Sequence, residues 1–412
     1  MKASIIAVGT ELLFGQTVNT NAAYLSEKLN LMGFDVMYHF VVGDNPKRLK
    51  EKLAEAFADT DLVLLTGGLG PTQDDLTKEI VAEFMGAEMY QDDQVVKDLE
   101  EFFLQRGRKM TENNLKQSYL PCGCIPFYNS SGTAPGFALE KDGKTAICFP
   151  GPPREMKWVY ESCAREYLEK LTDKKMFYRV IRTIGIGESD LETLLLPFID
   201  GQTDPTIATY AKEGECTFRV ASQRATLEEA REAVDNLVKE IDKVIGKYIY
   251  SYDDEGLNEV VVKLLKKKGL KLSSAESATG GMFASFVTDV SGASSVFETS
   301  FVTYSNESKM RNLGVKAETI EKYSVSSKEV AEEMARGVIS NSTSDIAVAI
   351  TGNAGPDVYE GQHAGLAFIG YAFGNKVGTV TVDTNRNDRA WNRNYFKLKM
   401  MQTVYDLLTE RL

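Results

Sequence analysis

A glycine-rich loop followed by two carboxylates has residue types that could bind a phosphate group. The loop contains Gly67, Gly68, Gly70 and Pro71. Its small residues leave backbone N–H groups unhindered, and the helix predicted after it adds a positive end, so the loop could cradle an anion. The adjacent Asp74 and Asp75 would repel that anion unless a divalent cation lay between them. The alternative is that one aspartate only caps the next helix.

Two glutamates lie in other loops that follow predicted strands. Glu11 comes after the first strand, and Glu155 comes after the turn at residues 150–153. The same loops contain Gly9, Thr10 and Gly151. Carboxylates that converge from three strand ends would suggest a metal-assisted diphosphate site. The alternative is that either glutamate is a solvated loop residue, which is the common situation for glutamate.

A second group combines a serine, a lysine and a tyrosine. Ser277 lies at a predicted strand-to-helix turn, where nearby backbone amides could form an oxyanion hole. A serine nucleophile needs a base, and the two histidines of the chain are badly placed for a triad. Lys309, which lies close to Tyr304, is the candidate base, because burial lowers the pKa of a lysine. The alternatives are that Ser277 or Thr279 is only an N-cap and that Lys309 is exposed.

Two arginines form a third candidate group. Arg389 and Arg393 lie one helical turn apart at the start of the last predicted helix, and could bind a nucleotide phosphate. A surface pair without a ligand is the alternative.

Alternating strands and helices must position the first group. Buried apolar runs predict strands at residues 4–8, 35–42, 61–66 and 143–150, with helices beginning near residues 19, 45, 76 and 153. Such units specify a doubly wound α/β sheet, whose ligands bind beyond the carboxyl ends of the strands.

The rest of the chain predicts a small α+β section followed by a second α/β section. The α+β section has strands at 176–184 and 217–222 and a helix with the capping box Thr226-x-x-Glu229. A linker is predicted at 250–256. The last section has predicted strands at 270–274, 296–304, 345–350, 364–373 and 376–383. Helices are predicted at 257–267 and 282–287, another follows a capping box at Ser326-x-x-Glu329, and the last begins at about residue 388. We therefore predict domains at 1–172, 173–250 and 251–412.

Composition bounds the class of protein. The 412 residues carry 47 Lys+Arg and 59 Asp+Glu, a net charge of −12, with 43% hydrophobic residues. This is the balance of a globular multidomain protein, and it argues against direct nucleic-acid binding, which needs a basic surface. We expect a cytoplasmic protein without a signal peptide or membrane span. Five dispersed cysteines fit reduced thiols, and Cys122-x-Cys124 lacks the further ligands of a zinc site.

The first section resembles the N-terminal domain of the CinA family of competence/damage-inducible proteins. The resemblance rests on GTELLxG at 9–15 with Asn19-Thr20-Asn21, on GGLGPTxDD at 67–75 and on PGPPxEM at 150–156. It implies a molybdopterin-binding-like domain that cleaves ADP-ribose with a divalent metal such as Mg²⁺, Mn²⁺ or Co²⁺. The implied metal residues are Glu11, Asp74, Asp75 and Glu155. The implied nucleotide-binding residues are Gly9, Thr10, Gly67, Gly68, Gly70, Pro71 and Gly151.

The last section resembles the C-terminal domain of the same family. AESATGG at 275–281 carries Ala278 where the family has cysteine, and YSNExK at 304–309 and TGxAGP at 351–356 follow; the resemblance also covers YAKxGE at 210–215. It implies a nicotinamide-nucleotide amidohydrolase without a cofactor, which converts nicotinamide mononucleotide to nicotinate mononucleotide and ammonia. Ser277 would be the nucleophile, Lys309 the base and Tyr304 a hydrogen-bonding partner. The implied substrate-binding residues are Thr279, Gly280, Gly281, Thr351, Gly352, Arg389 and Arg393.

The family resemblance also implies a homodimer. Two alternatives stay open at this point. The first domain could bind a pterin or nucleotide without turning it over, or the protein could be a non-enzymatic partner in competence or recombination.

Overall fold

The buried apolar runs of the first section form neighbouring strands of one sheet. The strands of this section are β1 (Lys2–Val8), β2 (Asp35–Val42), β3 (Leu62–Thr66), β4 (Met89–Gln91), β5 (Tyr119–Pro121), β6 (Ile125–Phe127), β7 (Gly136–Lys141) and β8 (Lys144–Phe149). The main sheet has the order β2-β1-β3-β8-β7-β6, while β4 and β5 pair separately. β2, β1, β3 and β8 are parallel, and β7 and β6 extend the sheet in antiparallel fashion. The doubly wound prediction is therefore confirmed.

Helices cover this sheet, and their ends follow local sequence rules. They are α1 (Thr10–Leu13), α2 (Thr20–Leu31), α3 (Pro46–Asp59), α4 (Thr77–Met85), α5 (Asp93–Gln105), α6 (Pro153–Val159) and α7 (Arg165–Glu169), with a 3-10 helix at Glu112–Ser118 and a π-helix at Tyr160–Ala164. Asn19 and Asn45 cap α2 and α3 by accepting backbone N–H groups. Gly86 ends α4 in the left-handed conformation. The sequence assigned no element to residues 87–141, which contain α5, the 3-10 helix and strands β4 to β7.

The middle section forms a second sheet. Its elements are β9 (Lys175–Thr183), α8 (Glu188–Ile199), β10 (Thr206–Lys212), β11 (Glu215–Arg224), α9 (Leu227–Ile245), a 3-10 helix at Gly246–Tyr248 and β12 (Ile249–Ser251), with strand order β10-β11-β9-β12. The capping box at Thr226 and Glu229 is confirmed. The predicted linker is wrong at its start, because Tyr250 is buried in β12, which pairs with β9.

The last section contains a third, mixed sheet. Its elements are α10 (Leu257–Lys268), β13 (Leu272–Glu276), α11 (Met282–Thr288), a 3-10 helix at Ala293–Ser295, β14 (Phe297–Val302), α12 (Asn306–Leu313), α13 (Ala317–Tyr323), α14 (Lys328–Ser340), β15 (Ile346–Gly352), β16 (Leu366–Phe373), β17 (Lys376–Asp383) and α15 (Arg389–Leu408). The strand order is β14-β13-β15-β16-β17, in which β14, β13 and β15 are parallel.

Two details of this section differ from the sequence predictions. The strand predicted at 270–274 runs from Leu272 to Glu276, because β14 and β15 pair with it on both sides as far as Glu276. The cap of α14 is Ser327, whose hydroxyl accepts the N–H of Val330 at 3.3 Å, and not Ser326.

The computed structural model describes residues 1–212 and 214–412, without the side chains of residues 211 and 212. The YAKxGE motif includes Glu213 and so lies partly outside the described residues. The chain divides into two compact units, one formed by Met1–Tyr178 with Ala221–Val234 and the other by Arg179–Val220 with Asp235–Leu412. Across the described ranges, no helix is both long and apolar enough to span a bilayer.

Candidate functional site

A cavity of about 320 Å³ lies at the carboxyl ends of β13 and β15 in the last section. Its walls come from the turn after β13, from the start of α12, from the loop after β15 and from the start of α15. The lining residues used below are Ser277, Ala278, Tyr304, Lys309, Val325, Thr351, Gly352 and Arg389. The parallel strands therefore deliver the second predicted group to one cavity, as expected for an α/β sheet.

Ser277 and Lys309 lie in hydrogen-bond contact inside this cavity. The Nζ of Lys309 is 3.0 Å from the Oγ of Ser277. Ser277 is the first residue after β13, and its N–H donates to the carbonyl of Ile350 at 3.2 Å, which ties the turn to the neighbouring strand. The side chains that the sequence paired are thus a nucleophile–base couple in geometry.

The environment of Lys309 destabilises the charged ammonium relative to a lysine in water. Lys309 is only 1% exposed, although it lies in the first turn of α12, so the alternative of an exposed lysine is wrong. Its Nζ also donates to the carbonyls of Thr303 and Tyr304, at 2.8 and 3.3 Å. Burial lowers the pKa of Lys309 to about 8. A neutral amine has two N–H bonds for these two carbonyls, which leaves its lone pair for the hydroxyl of Ser277.

The turn that carries Ser277 presents backbone donors. The N–H groups of Ala278 and Thr279 donate no hydrogen bond within the described part of the chain. The Oγ1 of Thr279 is buried and has no partner among the described residues. Gly280 and Gly281 have φ values of 58° and 97°, in the left-handed region that favours glycine, so the turn needs them for its backbone.

The N-cap alternative for Ser277 and Thr279 is wrong. The N-cap of α11 is Gly281, and no side chain caps the helix from that position. Instead, the fully buried carboxylate of Glu276 accepts the N–H groups of Gly281, Phe283 and Ala284 at 2.9–3.0 Å. The sequence did not identify this role of Glu276. The available signal was a glutamate at the end of an otherwise small and apolar strand.

The two arginines make different contacts. Arg389 lines the cavity, donates to the carbonyl of Gly355 at 2.8 Å and lies 3.2 Å from the hydroxyl of Tyr304. Arg393 donates to the carbonyls of Ala278 and Thr279 at 3.2 and 2.8 Å. Of the two guanidinium groups, only that of Arg389 therefore faces the cavity.

Tyr304, Thr351 and Gly352 lie at or near the cavity, but their contacts differ from those expected for substrate-binding residues. The side chain of Tyr304 is 64% exposed, and its hydroxyl meets Arg389 and not Ser277. Thr351 lines the cavity, but its hydroxyl donates to the carbonyl of Val325 at 2.8 Å. A Cβ at Gly352 would lie 2.5 Å from Ala367, so this glycine permits close packing of β15 against β16.

The first predicted group is also built at the ends of adjacent parallel strands. Gly9 follows β1, Gly67 follows β3 and Gly151 follows β8. The side-chain amide of Asn21 donates to the hydroxyl of Thr66 at 2.9 Å and to the carbonyl of Gly151 at 2.7 Å, which links two of these loops. The three strand ends therefore meet at one edge of the sheet, as the topology requires.

Gly67 and Gly68 let the glycine loop pack closely against neighbouring protein atoms. Gly67 has φ 100°, and a Cβ there would lie 2.1 Å from the carbonyl oxygen of Val8. A Cβ at Gly68 would lie 2.1 Å from the hydroxyl of Thr77. The Oδ1 of Asn21 and the Oγ1 of Thr77 are buried and have no partner among the described residues. Thr10 is already engaged, because its N–H and hydroxyl both donate to Asp44.

Two of the four predicted metal carboxylates, Asp75 and Glu155, accept hydrogen bonds from protein groups. Asp75 accepts the N–H of Thr72 at 3.0 Å and also its hydroxyl, so it closes the loop. The cap alternative is wrong for both aspartates, because the N-cap of α4 is Leu76. Glu155 accepts the side-chain amide of Asn129 at 2.7 Å.

No group of three or more His, Cys, Asp or Glu side chains in the described ranges could hold a metal ion. The set Glu11, Asp74, Asp75 and Glu155 is thus not brought together as a metal site made by protein ligands alone. The requirement for Mg²⁺, Mn²⁺ or Co²⁺ stays a prediction.

Comparison with protein families assigns almost the whole chain. Residues 254–410 match the CinA C-terminal domain, residues 4–170 a probable molybdopterin binding domain and residues 178–251 the damage-inducible protein CinA KH domain. The sequence had identified the middle section only as a small α+β unit.

Relatives extend over nearly the full length. A protein of Caldicellulosiruptor saccharolyticus named competence-damage inducible protein is 46% identical over 378 residues, 92% of each chain. One of the same name from Clostridium botulinum strain Okra is 46% identical over 379 residues, again 92% of each chain. A crystal structure of CinA from Thermoplasma acidophilum is 36% identical and covers 40% of this chain and 96% of its own, with a TM-score of 0.37.

Proposed function

This chain belongs to the CinA family, and we propose that its C-terminal section is a serine amidohydrolase that deamidates nicotinamide mononucleotide. The observation that carries the proposal is the 3.0 Å contact between Ser277 Oγ and the buried amine of Lys309. A lysine kept partly neutral by burial can replace histidine as the base of a serine nucleophile.

The acylation step uses the two side chains and the turn. Ser277 Oγ attacks the carboxamide carbon while Lys309 Nζ takes the hydroxyl proton. The carbonyl oxygen becomes an oxyanion, which the N–H groups of Ala278 and Thr279 are available to stabilise. When the tetrahedral intermediate collapses, the C–N bond breaks, and Lys309 returns its proton to the departing nitrogen, which leaves as ammonia.

The deacylation step reverses these roles with water. Lys309 accepts a proton from a water molecule that attacks the ester carbon of the acyl-enzyme. Collapse of this second intermediate breaks the ester bond, returns the proton to Ser277 Oγ and releases the carboxylate product. No metal or cofactor is needed in this sequence of steps.

Charge supports a mononucleotide as the substrate. The chain has a net charge of −12, so an anionic substrate needs a local cation. Arg389, at the cavity wall, is the guanidinium placed to meet a phosphate. The cavity of about 320 Å³ is at the small end of the range for ligand pockets.

Replacement of the nucleophile tests the proposal. Ser277→Ala should lower ammonia release from nicotinamide mononucleotide by at least about a thousandfold, because the acyl-enzyme cannot form. The control is Ser285→Ala, an exposed serine on α11, which should keep wild-type turnover. Near-normal turnover by Ser277→Ala would contradict the assignment.

For the N-terminal section we propose cleavage of ADP-ribose to AMP and ribose 5-phosphate. Support comes from the convergence of three loops at one edge of the sheet and from the buried side-chain oxygens of Asn21 and Thr77, which have no partner in the described part of the chain. The hydroxyl of Thr77, at the start of α4, can donate a hydrogen bond to a phosphate oxygen.

The test measures AMP from ADP-ribose, with chelator and with added Mg²⁺, Mn²⁺ or Co²⁺. Asp74→Asn and Asp75→Asn should lower the metal-stimulated rate, and Asp59→Asn, at the exposed end of α3, serves as the control. Unchanged rates in both variants would contradict a role for these carboxylates. Tight ligand binding without product would favour the binding-only alternative.

A further inference from the structure

We propose that Glu276 and Arg393 are positioning residues that shape the turn carrying Ser277 and aim its unbonded N–H groups at the reacting carbonyl. The inference deepens the amidohydrolase proposal and rests on it. It also assigns Arg393 a role in the geometry of the turn, instead of the phosphate contact that the sequence suggested.

Glu276 holds the turn from the side of α11. Its carboxylate is fully buried and accepts three backbone N–H groups at 2.9–3.0 Å, and the hydroxyl of Ser300 lies 3.3 Å from it. A buried carboxylate is costly unless it is hydrogen-bonded, and here the start of α11 satisfies it. Because these donors are consumed by Glu276, they are not available to the oxyanion. The donors that remain are those of Ala278 and Thr279.

Arg393 holds the same turn through its carbonyls. Its Nε donates to the carbonyl of Ala278 and one Nη donates to that of Thr279. In a trans peptide the C=O and the following N–H point in opposite directions. The contact with Ala278 therefore turns the N–H of Thr279 away from Arg393. The contact with Thr279 likewise sets the N–H of Gly280, which donates to the carbonyl of Ser277 at 3.1 Å.

The two side chains act on the turn separately. The carboxylate takes N–H groups and the guanidinium takes C=O groups, and in the described residues the two do not form an ion pair with each other. A Cβ at Gly280 would lie 3.3 Å from the guanidinium of Arg393, so the turn and this side chain are closely packed. Each charge is thus used to fix backbone orientation, which is what a preorganised oxyanion hole requires.

The variants for the test are Arg393→Gln, Arg393→Lys and Glu276→Gln. Glutamine at 393 loses both the charge and the planar fork of the guanidinium, whereas lysine keeps the charge but loses the fork. Glutamine at 276 replaces one carboxylate oxygen with an NH₂ group. Because this group is a donor, it cannot accept the backbone N–H groups that the replaced oxygen accepts. Arg336→Gln is the matched control, because Arg336 is exposed and pairs with Glu332 on α14.

Two readouts separate positioning from substrate binding. The first is the rate at which a fluorophosphonate labels Ser277, followed by intact mass; the Oγ–P bond forms, fluoride leaves and Lys309 takes the proton. We expect labelling and kcat to fall by about 10- to 100-fold in Arg393→Gln and Glu276→Gln. We expect KM to change little, Arg393→Lys to be intermediate and Arg336→Gln to match the wild type.

The second readout compares nicotinamide mononucleotide with its nucleoside. A positioning role predicts the same fractional loss of kcat for both substrates. A higher KM confined to the nucleotide, with unchanged labelling, would show that Arg393 binds the phosphate and would overturn the proposal. Wild-type labelling rates in Arg393→Gln, or no labelling of the wild type at Ser277, would overturn it as well. Labelling of the wild type without ammonia release would contradict only the amidohydrolase proposal.

Discussion

Proton concentration should control the proposed amidase reaction through Lys309. The base must be neutral before it can accept the proton of Ser277, and burial lowers the pKa of Lys309 from 10.5 to about 8. At pH 7 an amine with pKa 10.5 is neutral in about 0.03% of molecules, and one with pKa 8 in about 9%. Burial therefore raises the competent fraction by about 300-fold at neutral pH.

The shape of the pH profile follows from these fractions. With a pKa of about 8, the neutral fraction rises about tenfold between pH 7 and pH 9 and then levels off. With an ordinary lysine pKa, it would rise about a hundredfold over the same interval and continue to rise. The assay is kcat/KM for ammonia release at constant ionic strength from pH 6.5 to pH 10, because kcat/KM reports ionisations of the free enzyme.

A matched control comes from a second buried lysine. Burial also lowers the pKa of Lys78, in the N-terminal section, to about 8. Lys78→Met should leave the amidase profile unchanged, whereas Lys309→Met should remove the limb near pH 8 together with most of the activity. A flat profile, a hundredfold rise without a plateau, or an unchanged limb in Lys309→Met would refute the reasoning.

Further substitutions test the supporting parts of the fold and site. Gly67→Ala should lower the free energy of unfolding by about 3 kcal/mol, measured by urea denaturation, because its Cβ would meet Val8 at a positive φ. The control is Gly15→Ala, because Gly15 has φ 70° and an added Cβ would have no atom within 4 Å. Its free energy of unfolding should fall by about 1 kcal/mol, and equal losses in the two variants would contradict the packing argument. Asn45→Ala removes the cap of α3 and should lower the free energy of unfolding by about 1 kcal/mol in the same measurement. An unchanged free energy would show that the cap does not stabilise the protein. Arg389→Gln should raise KM for the nucleotide by about 10- to 100-fold in steady-state kinetics and spare the nucleoside, and equal effects on both would exclude a phosphate contact.

Most of the framework could be predicted from sequence because the parallel strands are continuous buried runs. β3 is buried over its whole length, Leu62–Thr66, and the buried stripe of α3 is the predicted one. The edge strand Asp35–Val42 also has the predicted bounds, although most of its residues are exposed. Strands β4, β5 and β6 could not be assigned, since strands of three residues are too short to show a period. The helix α5 in the same stretch did have sequence signals, namely the N-cap Asp92 and the buried positions Val95 and Leu99.

In the candidate site, residue types predicted which side chains belong to the site better than they predicted which atoms are in contact. Ser277 and Lys309 could be paired because the chain has only two histidines, both badly placed, and because both residues lie in motifs that resemble those of one family. The roles of Glu276 and Arg393 could not be predicted, because both act on backbone atoms, and backbone donors and acceptors have no signature in side-chain identity. The cap of α14 is Ser327, one residue after the predicted Ser326, because two adjacent serines are equally suitable caps by residue type.

The alanine beside the nucleophile has a consequence for redox behaviour. With Ala278 at this position, the residues that line the cavity include no sulfur atom in the described part of the chain. The thiols lie elsewhere, and burial raises the pKa of Cys124 to about 12, so this cysteine stays protonated and resists oxidation. The proposed reaction centre therefore consists of an alcohol, an amine and backbone amides, and the described residues that line it offer no thiol for disulfide exchange or sulfenic acid formation.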